Sequence, residues 1–221
     1  MTLAGLGPWL AVGLVLVVAV AAGRLPRRLM REACAGGWTS RDERMLMAAG
    51  LLAGLLVLVV AEAAPSGPGG PDWRTAAALA ICGVMLAGVM LTDVRAMVVA
   101  DLHVVALLVL AVVGPLASSP ERLAAGVVVG GGLLWAVRWL FQRARGVEGL
   151  GLGDVKLMAA MGALVGPEAV LWIIVGGALI GLAWALTPGR GRREGRIAVP
   201  FGAAAAPPAL AVLMFQQGLG Q

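Results

Sequence analysis

Gly153-Asp154-Val155-Lys156-Leu157-Met158-Ala159-Ala160-Met161-Gly162-Ala163-Leu164-Val165-Gly166-Pro167 decides how many times this chain crosses a membrane. The run is apolar except for Asp154 and Lys156, and Gly166-Pro167 closes it. A helix needs about 20 apolar residues to cross a hydrocarbon core of about 30 Å. The run is therefore short, and it spans only in part or starts earlier, near Leu150. Longer apolar runs surround it. Spans are predicted near 8–23, 45–63, 76–92, 98–117, 123–141, 153–166, 168–187 and 199–216. The count is eight with the short run and seven without it.

Loop charge favours eight. With the N-terminus outside and the spans alternating, the inside loops hold Arg24, Arg27, Arg28, Arg31, Arg41, Arg44, Arg95, Arg138, Arg143, Arg145, Lys156, Arg190, Arg192, Arg193 and Arg196. Only Arg74 and Arg122 fall outside, so 15 of the 17 basic residues obey the positive-inside rule. Dropping the short run would move Arg190 to Arg196 outside. Both termini are then predicted outside.

Composition supports the same class. Of the 221 residues 60% are apolar and 13% charged, and the mean hydropathy is +0.94. A soluble domain is about half apolar and a quarter charged. The expected fold is an all-α polytopic transmembrane bundle forming a single membrane domain over 1–221. A pI near 10.9 would suggest nucleic acid in a soluble protein. Here the basic residues sit in short loops, so topology accounts for them and no nucleic-acid partner is expected. Cys34 and Cys82 form no CxxC pair, which supports neither a zinc site nor a redox motif, and no metal or cofactor is expected. The first apolar run lacks a preceding basic region and is followed by Arg24, Arg27 and Arg28, which marks a span rather than a cleaved signal. Gly126 and Gly130, like Gly177 and Gly181, are four apart, a spacing that lets helices approach closely.

Carboxylates carry the chemistry. Asp93 closes the third span, Asp101 opens the fourth and Asp154 opens the sixth. The topology puts all three toward the cytoplasmic face. Ionisable residues within membrane segments are costly and are functional candidates. Two carboxyls held close cannot both ionise, so they share one proton. The ionised group can take a proton from water while the protonated one donates to a peptide carbonyl, the two halves of peptide hydrolysis. Gly149, Gly151 and Gly153 allow close backbone approach beside Asp154. The glycine spacing is not a dinucleotide fingerprint, because no strand precedes it.

Glu148-Gly149-Leu150-Gly151-Leu152-Gly153-Asp154-Val155-Lys156-Leu157 resembles the GxGDxKL signature of type IV prepilin peptidases. Asp93 to Asp101 resembles that family's first motif, with Val99-Ala100 in place of an IP-like pair, and Val199-Pro200-Phe201-Gly202 is similar to its PFG segment, with Ala203 where a proline is usual. The resemblance runs from about residue 75 to the C-terminus, and it implies a peptidase core over 75–216. It implies an eight-helix aspartyl endopeptidase of the bacterial inner membrane that cuts the basic leader from type IV prepilins or pseudopilins on the cytoplasmic side. Asp93 and Asp154 would be the catalytic pair. Asp101, Glu148, Gly151, Gly153, Lys156, Pro200, Phe201 and Gly202 would support the site or bind substrate. Bifunctional members carry a cytoplasmic domain, often with paired CxxC motifs, that goes with N-methylation. The short basic loop 24–44 holds only Cys34 in its place, so cleavage without methylation is expected, with the loop resting on anionic lipid.

Other readings stay open at this level. Lys156 could equally anchor at the interface, Glu148 could be a solvated loop residue, and Asp101 could cap the fourth helix. His103 lies in an apolar run and is read as structural. A proton- or cation-coupled transporter would also use membrane aspartates, although it leaves the GxGDxKL and PFG runs without a role.

Overall fold

The computed structural model describes residues 44–45, 48, 51–52, 55, 73–116, 118–147, 149–187, 192–193, 196–197 and 199–216. The first predicted span, the loop 24–44 except Arg44, most of the second span and the Gly/Pro-rich turn before Trp73 lie outside the described residues.

Six helices follow in order: α1 (Trp73–Ala96), α2 (Asp101–Val113), α3 (Pro120–Arg145), α4 (Leu152–Val165), α5 (Pro167–Leu186) and α6 (Phe201–Met214). They match the last six predicted spans. By length and composition, Arg74–Ala96, Pro120–Arg145 and Pro167–Leu186 can cross a membrane. The helices α2, α4 and α6 have 13, 14 and 14 residues. At 1.5 Å per residue they reach about 20 Å, short of the hydrocarbon core by about 10 Å.

Among the described residues the fold is all-helical, as expected, apart from one short ribbon. Strands β1 (Arg192–Arg193) and β2 (Arg196–Ile197) pair antiparallel, Arg193 opposite Arg196. The segment between α5 and α6 therefore includes a short antiparallel strand pair. Its polar, Gly-containing sequence has no period-2 apolar pattern, so hydropathy gave no sign of it.

Local chemistry sets the helix ends. Ser119 caps α3 by accepting the Arg122 N–H, and Gly146, in the left-handed region at φ 68, ends the helix. Pro167 sits in the first turn of α5, where its missing N–H costs nothing. Between α1 and α2, Met97 adopts φ 55 and its N–H closes on the Asp93 carbonyl at 2.8 Å. The chain then stays out of helix to Ala100, which is extended, so α2 begins three residues later than the predicted span.

Contacts at both ends show that the chain runs up and down. At one end Asp93, Asp154 and the start of α6 meet. At the other, Arg122 pairs with Glu168 at 2.8 Å and Gln216 donates to the Val165 carbonyl at 2.9 Å. The short run 152–165 thus forms a helix of its own, packed between the ends of its neighbours.

The helix α4 packs against α2, α3, α5 and α6, and of the three long helices α1 is the most enclosed. Its apolar window is 72% buried, against 22% for α3 and α5. Val84, Val89, Leu107, Leu157, Met158, Met161, Ile173 and Leu213 fill the core, and Cys82 is a buried free thiol. Outward, α3 and α5 expose Val128, Trp135, Trp139, Trp172, Leu179 and Leu182. Helices apolar on both faces suit lipid on one side and packed protein on the other. His103 is fully buried, with its imidazole packed against Gly88.

Candidate active site

The three short helices, α2, α4 and α6, all begin at the end where Asp93 lies. An N-terminus leaves several backbone N–H groups without partners and carries partial positive charge. Carboxylates brought there find donors and a favourable field.

The helix α6 shows how this works. Its N-cap is Pro200, which is buried and supplies no side-chain acceptor. The orphan donors are served from another helix instead. Asp93, 4% exposed in the last turns of α1, accepts the Ala203 N–H on Oδ2 at 2.9 Å, and the Gly202 N–H also faces its carboxyl. Asp93 therefore caps α6 across 110 residues of sequence.

Asp154 is the third residue of α4, whose N-cap is Gly151. Its half-buried carboxyl reaches back to the Gly151 N–H, one half of a capping box. It also faces the Gly202 N–H, and the Asp93 charge acts on it. The two carboxyls thus converge at the start of α6. Such a pair titrates as a unit.

The glycines and Val99 fit this convergence. A side chain on Gly202 would place its Cβ 3.1 Å from Asp93 Oδ2 and 3.1 Å from Val99 Cγ2. One on Gly153 would lie 3.0 Å from Val99 Cβ. Val99 therefore wedges between the α4 and α6 starts, a role the sequence did not assign. The missing proline at Ala100 leaves its conformation intact: Ala100 has φ −72, within the range a proline ring fixes. We predict that Ala100→Pro stabilises the protein by about 0.4–1 kcal/mol, through lower unfolded-state entropy. Thermal unfolding in detergent would check this, and a lower midpoint would refute it.

The supporting residues divide. Asp101 is the first residue of α2 and makes no side-chain cap, because Ala100 is the N-cap. It pairs instead with Lys156 at 2.9 Å, with side chains 71% and 46% exposed. An ion pair this wet contributes about 0–1 kcal/mol. Lys156→Met should therefore shift the unfolding free energy by less than about 1 kcal/mol, and a larger loss in denaturant titration would contradict this. Phe201 is half-buried and packs on the core. Glu148 lies outside the described residues.

Two neighbours were missed. The ring of Phe141 on α3 covers Gly149, where an added Cβ would lie 2.4 Å from Cδ1. Arg138 Nη1 on α3 donates to the Leu150 carbonyl. Arg138 was counted only as a loop charge. The capping by Asp93 did leave a trace: a helix opening on Val199-Pro200-Phe201, with no Ser, Thr, Asp or Asn at its N-cap, must find acceptors elsewhere.

The type IV leader peptidase family model matches residues 80–186, which include both aspartates. A prepilin leader peptidase/N-methyltransferase of Burkholderia pseudomallei (strain K96243) is 42% identical over 94 residues, covering 41% of this chain and 29% of that protein. One from Xanthomonas campestris pv. campestris is 43% identical over 81 residues, covering 35% and 27%. One from Stutzerimonas stutzeri is 32% identical over 179 residues, covering 77% of this chain and 57% of the relative. The matches to the first two cover less than a third of those proteins. No solved structure matches this chain.

Proposed function

We propose that this chain, which is similar to the type IV leader peptidase family over residues 80–186, is a membrane aspartyl endopeptidase cleaving the leader of type IV prepilins or prepilin-like proteins at the cytoplasmic face. The observation that carries the reading is the convergence of the Asp93 and Asp154 carboxyls at the start of α6. In the proposed mechanism one carboxylate takes a proton from water, and the other carboxyl donates to the scissile carbonyl oxygen. The Gly202, Ala203 and Gly151 N–H groups hold the two in register, which limits reorganisation during reaction.

The proposed arrangement in the membrane is a single domain, 1–221, of eight spans with both termini outside and the core at 75–216. The site then lies at the inside ends of three short helices, in a recess that water reaches from the cytoplasm. The substrate's apolar segment approaches through lipid. The loop 24–44, with Cys34 as its only cysteine, supports cleavage without N-methylation.

The test mixes the purified protein in lipid with a prepilin and follows leader loss by gel shift. Mass spectrometry of the trimmed N-terminus reads methylation. Cleavage with an unmethylated product is expected. An uncut substrate, with proton- or cation-coupled flux in proteoliposomes, would replace this reading by a transporter.

A further inference from the structure

We propose that Arg138 is a positioning residue for Asp154, acting through a single peptide group. Its guanidinium donates to the Leu150 carbonyl. The Leu150 C=O and the Gly151 N–H belong to the same peptide unit, which is planar and rigid. That N–H faces the Asp154 carboxyl. A donor on α3 therefore fixes the orientation of the plane whose other edge holds Asp154 on α4. Hydrogen bonds in such a chain polarise one another, and a charged donor at one end strengthens the bond at the other.

The loop offers this peptide little other restraint. Gly149 and Gly151 flank Leu150, and glycine leaves the backbone free to rotate. Two side chains of α3 remove that freedom. Phe141, nearly one turn beyond Arg138, lies on Gly149 and blocks one face. Arg138 holds the carbonyl. Arg145 in turn stacks over the Phe141 ring, 5.8 Å from its centroid. The end of α3 thus works as a clamp on the loop that opens α4. Arg138 is half-buried, whereas the nearby Arg143 is exposed and stacks on Trp139. Arg143 provides a matched control on the same helix.

The kinetic part of the proposal rests on the peptidase reading; the loop-ordering part does not. For the kinetics, Arg138→Gln should lower kcat by about 10²-fold, the cost of displacing a reacting group by about 1 Å, with KM nearly unchanged. Arg138→Lys keeps a charged donor and should recover much of that loss, and Arg143→Gln should match the parent. For the loop, Leu152→Cys, placed in a protein with Cys34→Ser and Cys82→Ala, reports its mobility by maleimide labelling. Arg138→Gln should speed that labelling at an unchanged thermal midpoint. An unchanged kcat overturns the proposal, as does a fall in kcat that Arg138→Lys fails to relieve or that tracks a fall in thermal midpoint. If the parent protein cuts no prepilin, the peptidase reading fails. Labelling then decides alone, and an unchanged rate in Arg138→Gln overturns the clamp.

Discussion

Asp154→Asn and Asp93→Asn are each expected to lower prepilin cleavage by about 10³-fold or more, within the range attributed to general acid–base groups. Asparagine keeps the size of the side chain and an acceptor oxygen. Asp93→Asn can still accept the Ala203 N–H, now bonded at 2.9 Å, so α6 keeps its cap and the protein should fold. What asparagine cannot do is exchange a proton. The double variant should be no worse than either single one, because the two groups act as a unit. Single-turnover cleavage of a purified prepilin, with thermal unfolding of each variant alongside, is the measurement. Near-parental cleavage by either folded variant would remove the aspartyl mechanism. Asp93→Ala should behave differently from Asp93→Asn. It also leaves the Gly202 and Ala203 donors at a buried helix start without their carboxylate, at a cost of about 1–3 kcal/mol, so it should lose stability as well as activity.

The contrast between these variants shows which part of the site could be read from residue types. Asp154 stood out because its signal is local: a carboxylate among glycines at the start of an apolar run. Asp93 stood out as a charge at the end of a span. Their common side followed from charge counting, which works because membrane orientation is set by loop residues that sequence displays directly. The N–H groups of Gly202 and Ala203 left no such sign, since every residue except proline carries that donor. The pairing of Asp101 with Lys156 bridges 55 positions, and nothing in either neighbourhood selects the other as partner. Arg138 was hidden for a different reason. Among the basic residues ending α3 it looks like an inside-loop charge, and only the return of the chain at Leu150 gives it a second role.

The fold divides in a similar way. The six described helices follow the apolar runs, with ends moved by caps that hydropathy does not register. Met97 and the non-helical Val98–Ala100 shorten α2 at its start, although all four residues are apolar or small enough to continue a helix. These adjustments bring Asp101 beside Lys156 and Val99 against Gly153, next to Asp154.

Helix association rests on contacts that the glycine spacing only half disclosed. Gly126 and Gly130 on α3 were expected to admit a neighbour, and that neighbour is α4. A Cβ on Gly126 would lie 1.9 Å from the Gly162 carbonyl oxygen, and one on Gly162 would lie 2.0 Å from the Gly126 oxygen. One on Gly130 would lie 2.2 Å from the Met158 oxygen. These obstacles are backbone atoms, so no rotamer change relieves them. In lipid the apolar surfaces of two helices gain little by leaving solvent, and close packing supplies much of the attraction. Separating α3 from α4 by even the width of a methyl group removes that gain and draws Arg138 away from Leu150. Gly162→Ala and Gly126→Ala should therefore each cost about 3 kcal/mol or more, the upper range for overpacking, and should reduce cleavage as well. Gly132→Ala is the internal comparison. Gly132 is exposed on the same helix with nothing within 4 Å of an added Cβ, so the change should be neutral or stabilise α3 by about 0.5–1 kcal/mol. Reversible unfolding in mixed micelles separates the cases. Equal stabilities for Gly126→Ala and Gly132→Ala would mean that α3 and α4 do not meet backbone to backbone, and the placement of Arg138 over the α4 loop would fall with that contact.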